Sequence, residues 1–129
     1  MNIEKAFEKK LYDVALTAKG RVVKILEDDH TGTPHQRIII EVSPSQTILI
    51  AHNLERAYRI PVKIGDELEA HGTYVWNRYG GIIHNTHHDD RDACERNSSG
   101  EMVCGPKHED GWINFVGRKN PHRIKNLPS

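Results

Sequence analysis

The alternation of residues 67–76 constrains this chain more than any other feature. Leu68, Ala70, Gly72, Tyr74 and Trp76 fall on one face, and Glu67, Glu69, His71 and Thr73 on the other. A period of two suits a strand with one buried face, and no helix satisfies it. Residues 36–42 repeat the pattern, with Ile38, Ile40 and Val42 opposite Arg37, Ile39 and Glu41. Three further strand-like runs cover residues 21–26, 47–51 and 81–86. Turn signals separate them: Thr31-Gly32-Thr33-Pro34, Ser43-Pro44-Ser45-Gln46, Gly65-Asp66, and Asn77 through Gly80. Short strands in this rhythm predict a mainly β fold, a small five-stranded OB-like barrel. An SH3-like barrel or a sandwich is the alternative.

The flanks read differently. Ile3, Phe7 and Leu11 recur every four residues, and Val14 and Ala15 continue the face. This predicts an N-terminal α-helix over 2–18, packed on the open end or side of the sheet. Residues 89–110 read as one long polar loop. Trp112, Ile113, Phe115 and Val116 form a short closing element of a body spanning 20–117, and 118–129 is a polar tail. The 129 residues amount to a single domain, 1–129.

Charge and hydropathy remove several classes. Lys plus Arg and Asp plus Glu number 18 each, so the net charge is zero with histidines neutral. That argues against gripping duplex nucleic acid by bulk charge, though a local basic groove is compatible with it. No run approaches the roughly 18 apolar residues of a membrane-crossing helix. The first residues lack an apolar core flanked by small side chains, so the chain reads as cytoplasmic as written. A periplasmic or secreted location is the alternative if a leader has been removed. Cys94 and Cys104 bear on this choice. In an oxidising compartment they would staple a hairpin-like loop, worth about 2–3 kcal/mol. In the cytosol they would be free thiols. Their spacing does not match a zinc ribbon.

Histidine is the unusual residue, with nine copies. His35 opens the second strand-like run and His52-Asn53 closes the third. His84, Thr86, His87, His88 and Asp89 end the fifth, and His108 precedes Glu109-Asp110-Gly111-Trp112. Antiparallel pairing of the second and third runs brings His35 and His52 to one end. On a continuing strand, His84, Thr86 and His88 share a face and His87 points the other way. His35, His52, His84, His88, Asp89 and His108 are therefore the candidate ligands for zinc or another divalent transition metal. A metal-bound water would then be the nucleophile. Without a metal, His84 or His88 serves as acid and base, and Arg37 stabilises charge on a phosphate. Gln36 and Asn53 are candidate substrate contacts. Trp76 and Trp112 are candidate stacking platforms for single-stranded nucleic acid, against the commoner role of filling a small core. Ser98 and Ser99 carry no nucleophile-elbow signature. For each histidine the plainer role is capping a strand end, and His30, His71 and His122 are assigned that role or solvent exposure.

These residues predict a metal-binding rim site that hydrolyses a phosphodiester, acting on nucleic acid or a small phosphorylated substrate. The alternative is a non-catalytic module that binds single-stranded nucleic acid or a protein partner. The ordered strings His35-Gln36-Arg37, Leu49-Ile50-Ala51-His52-Asn53-Leu54, Tyr74-Val75-Trp76-Asn77, Gly80-Gly81-Ile82-Ile83-His84, Thr86-His87-His88-Asp89 and His108-Glu109-Asp110-Gly111-Trp112-Ile113 resemble an uncharacterised bacterial family, domain of unknown function 3465. The resemblance covers residues 20–117 and implies that these strings are the family's hallmark. It carries no established activity. Members usually have Pro where this chain has Asp90, and the cysteine-bearing stretch before His108 is longer here. The resemblance also implies export for many members.

Overall fold

A computed structural model describes residues 2–87, 93–96, 98–105 and 110–117. The elements are α1 (Ile3–Glu8), β1 (Tyr12–Asp29), β2 (His35–Ser43), β3 (Gln46–Asn53), β4 (Glu67–Val75), β5 (Ile82–His84), β6 (Ala93–Arg96), β7 (Met102–Gly105) and β8 (Trp112–Phe115). The protein is mainly β, with one short helix, N-terminal, among the described residues. β1, β2, β3, β5 and β4 pair in that order, and β4 pairs back onto β1, so five strands close a ring. This is the closure expected of an OB-like fold. β3 and β5 run parallel, the other ring pairs run antiparallel, and β8 adds to β4 outside the ring.

The ring closes because one long strand serves two neighbours. Residues 12–21 of β1 pair with β4, and residues 21–29 pair with β2. Arg21 faces Glu67 on one side and Glu41 on the other. Gly20 sits at this changeover, where a Cβ would strike the Glu41 carbonyl. Only glycine lets the two backbones approach so closely. Inside the ring lie Leu16, Ala18, Val22, Ile38, Ile40, Ile48, Ile50, Leu68, Ala70, Tyr74 and Ile83, all buried. The Tyr74 hydroxyl, buried with them, donates to the Gly80 carbonyl at 2.8 Å.

The expected helix over 2–18 is corrected to Ile3–Glu8. Asn2 caps it, accepting the Lys5 N–H at 2.8 Å. Lys10 turns left-handed (φ 54°), and the Leu11 and Lys10 N–H groups donate back to the carbonyls of Ala6 and Phe7. That is a Schellman stop, with lysine in the place glycine usually takes. Residues 12–18 instead extend the first strand, burying Leu16 and Ala18 while Ala15, Thr17 and Lys19 stay exposed. The spacing of Leu11, Val14 and Ala15 mimics a helical face, but the ring pairing with β4 decides.

Two smaller corrections follow. The fifth strand ends at His84, not residue 86, because Asn85 adopts a left-handed φ of 56°. The stretch 89–110 contains a hairpin, β6 paired with β7, rather than loop throughout. No helix among the described residues is long and apolar enough to cross a membrane. The tail 118–129 lies outside the described residues.

Candidate functional site

One end of the ring gathers the start of β2, the end of β3 and the end of β5. Register sets His35 opposite Asn53 and Gln36 opposite His52. His52 is completely buried. Its Nε2 lies 3.0 Å from the Tyr58 carbonyl and its Nδ1 2.7 Å from the Thr86 hydroxyl. A carbonyl can only accept, so Nε2 carries the proton and Nδ1 accepts from Thr86. Burial drives the ring's pKa down to about 4. The Tyr58 bond opposes that shift, and His87 and His35 nearby add to it. His52 is thus a neutral tie between β3, the following turn and the segment after β5. Both its nitrogens are engaged, so a metal bond would have to displace one of these partners.

Gln36 and Asn53 are also committed to the backbone. The buried Gln36 amide donates to the Ile60 carbonyl at 2.7 Å and accepts the Ile60 N–H at 2.8 Å. Asn53 Oδ1 accepts the N–H groups of Glu55 and Arg56 at 2.8 and 3.2 Å. Together they fix residues 54–60 across the rim, and the Arg59–Asp28 ion pair ties that loop to the end of β1. That pairing holds the Asp28 carboxyl below the usual carboxylate range.

The left-handed Asn85 changes which side chains share a face. His84 stays half-buried on the outer side of β5, whereas Thr86 and His87 both turn inward and are buried. The expectation that His84 and Thr86 point the same way is therefore corrected. The His87 carbonyl accepts the Gly111 N–H at 3.0 Å, which brings the lead-in to β8 onto this rim. A Cβ on Gly111 would run into the carbonyls of Asn85 and His71, so the approach needs glycine.

On the outer face, Arg37 pairs across from Ala51. Ile50 pairs with Ile83, so the next residues along the parallel strands, Ala51 and His84, lie side by side. His84 in turn faces Thr73 of β4, whose hydroxyl accepts from the Asn85 amide at 3.2 Å. Arg37 and His84 therefore flank Ala51 in one row, all three half-buried. Their backbones are two strand spacings apart, roughly 10 Å, with only a methyl group between them. Arg37 Nε donates to the Glu27 carbonyl at 2.8 Å, which steadies the guanidinium base.

The tryptophans do not share a surface. Trp76 stacks on Phe7 of α1 with centroids 6.3 Å apart, and Lys10 Nζ lies 5.4 Å from its ring centre. Trp112 stacks on His71 at 5.8 Å, and His71 Nδ1 lies 2.8 Å from the Thr17 hydroxyl. His71 therefore lies mid-strand between Thr17 and Trp112, not at a strand end. No group of three His, Cys, Asp or Glu residues among the described residues is arranged to hold a metal. His88, Asp89 and His108 lie outside the described residues. Cys94 and Cys104 are directly opposite in the β6–β7 register.

Sequence reasoning placed Thr86 on the face of His84 and missed its bond to His52, and it missed Tyr58, Ala51 and Thr73. No spacing signal gives their roles, because each matters only through a neighbour on another segment. A family model described as "Protein of unknown function (DUF3465)" matches residues 1–120. No curated protein matches the chain.

Proposed function

The chain belongs to this DUF3465 family, and we propose that its histidine-bearing rim binds and hydrolyses a phosphodiester. The observation that supports this reading is the row Arg37–Ala51–His84 on the outer face. A guanidinium and an imidazole on either side of a small residue suit a phosphate group between them. In this reading Arg37 stabilises charge developing on the phosphoryl oxygens, and His84 exchanges a proton with the attacking water or the leaving oxygen. His52, Gln36 and Asn53 act as the frame that holds the rim.

A divalent transition metal, zinc first, is part of the proposal. The half-exposed His35 and His84 are the described donors, and His88, Asp89 and His108 from the sequence would complete the set. Imidazole and carboxylate donors fit that class of ion. When bound, the metal would supply an acidified water. The test is metal content of tag-free protein purified without chelator, followed by phosphodiester turnover before and after EDTA. Near-stoichiometric metal that is lost in His84→Ala, with turnover lost in EDTA, is the expected result. Turnover that survives EDTA in a metal-free protein would reduce the proposal to acid–base chemistry by His84. Absence of turnover under all metal loadings would overturn it.

A non-catalytic binding module is the second reading. It is favoured by the aliphatic side chains Ile39, Leu49 and Ile82, which form the next row on the same outer face. The facing positions of Cys94 and Cys104 suit a disulfide, and with it the periplasmic or secreted alternative over the cytoplasm.

A further inference from the structure

We infer that the phosphodiester taken by this face is amphiphilic, a single-chain phospholipid rather than a nucleic acid. The inference rests on the proposed phosphate site between Arg37 and His84. Two residues along β3 from Ala51 is Leu49, with Ile39 paired on one side and Ile82 on the other. All three are half-buried on the outer face, where antiparallel sheets open to solvent usually carry polar side chains. A ligand whose phosphate sits over Ala51 must lay whatever follows along β3 on these aliphatic groups, or direct it into solvent.

The chemistry of the track selects between chains and bases. Bases bind single-strand sites by stacking on aromatic rings. Neither tryptophan lies along the Ile39–Leu49–Ile82 row: Trp76 stacks on Phe7 of α1, and Trp112, stacked on His71, lies past His84 at the end away from Leu49. An acyl chain needs only aliphatic contact, and Leu49 with its two neighbours supplies it. Charge fixes the orientation. Arg37 and His84 mark one end of the track, and Lys24 pairs beside Ile39 along its flank. The far end carries Thr47 opposite Glu41, whose carboxylate is 3.9 Å from Arg21. An anionic headgroup is favoured at the Ala51 end, because at the Glu41 end the Arg21 guanidinium is already paired with a carboxylate. Ala51 to Thr47 spans four residues, roughly 13 Å of strand, which suits a medium-length chain.

The test compares three probes by isothermal titration with wild-type protein in EDTA, which keeps Arg37 and His84 in place and removes the metal that turnover needs. They are octanoyl lysophosphatidylglycerol below its micelle concentration, glycerophosphoglycerol without the chain, and a thymidine tetranucleotide. The chain-bearing probe is expected to bind at least about tenfold more tightly than the chainless one. Leu49→Asn and, separately, Leu49→Thr should erase that difference while leaving chainless binding unchanged. Chain-independent affinity, or a tetranucleotide that binds as well as the lipid, would overturn the inference but leave the phosphate site standing. Failure of all three probes to bind, with Arg37→Gln making no difference, would overturn the phosphate site itself.

Discussion

The Thr86 hydroxyl donates to His52 Nδ1 at 2.7 Å, inside a ring end where neither side chain touches solvent. That bond requires a neutral imidazole, because the other nitrogen spends its proton on Tyr58. Three chain segments converge on one side chain, so its protonation state is linked to the integrity of the rim.

Stability should therefore fall in mild acid. The folded-state pKa of His52 is about 4, below its ordinary 6.5. The unfolded chain binds the proton first, so the contribution is complete above pH 6.5 and is lost as pH falls through 4. A shift of that size corresponds to about 3 kcal/mol. Urea unfolding of wild type and His52→Gln across pH 7.5 to 4 checks it. The wild type should lose this stability with a slope that the glutamine variant lacks.

Gln36 makes a second prediction. It holds both polar groups of Ile60 from a buried position. Gln36→Ala leaves an N–H and a carbonyl without partners and should cost about 2–3 kcal/mol. Gln36→Glu keeps the acceptor but loses the donor, and should retain only part of the stability. Thermal unfolding of the two variants gives the comparison.

A third concerns Gly72, on the inward face of β4. A Cβ there would meet the His84 carbonyl and the side chains of Ile83 and Thr86. Gly72→Ala should push β5 from β4 and destabilise the protein by about 1–3 kcal/mol. It should also weaken ligand binding at Arg37 and His84, since it displaces the strand end carrying one of them. Hydrogen exchange of the Ile83 and His84 amides would report the displacement.

The hairpin supplies a fourth. Ala93 faces Gly105, Cys94 faces Cys104 and Glu95 faces Val103. Cysteines opposite one another on adjacent strands are within reach of a bond. Protein exported to an oxidising compartment should show the Cys94–Cys104 disulfide by peptide mass mapping, and reduction should cost about 2–3 kcal/mol. Free thiols in exported protein would count against the pairing.

Much of this architecture was legible in the sequence, and the reasons it was not legible everywhere are physical. The alternation of Ile38 and Ile40, or Leu68 and Ala70, survives because one face meets the core along the whole strand. Residues 12–18 were misread because Leu11, Val14 and Ala15 fit a helical period as well as Leu16 and Ala18 fit a strand. Only closure onto β4 separates the two. At the rim, residue type pointed to His35, His52 and His84, but role depended on pairing. His52 found Thr86, 34 residues away, and became structural. His84 lost its expected face-mate because Asn85 turned left-handed. The small residue that leaves space between Arg37 and His84 is an alanine, which carries no chemical signal of its own.

The most direct test of the central claim is turnover of bis(4-nitrophenyl) phosphate by wild type, His84→Gln and Arg37→Gln at matched thermal stability. Measurable hydrolysis by wild type is predicted, with His84→Gln slower by about 10²–10⁴-fold and Arg37→Gln impaired in both substrate binding and rate. Hydrolysis that is unchanged in both variants, or absent from wild type under every divalent metal supplied, would contradict the account.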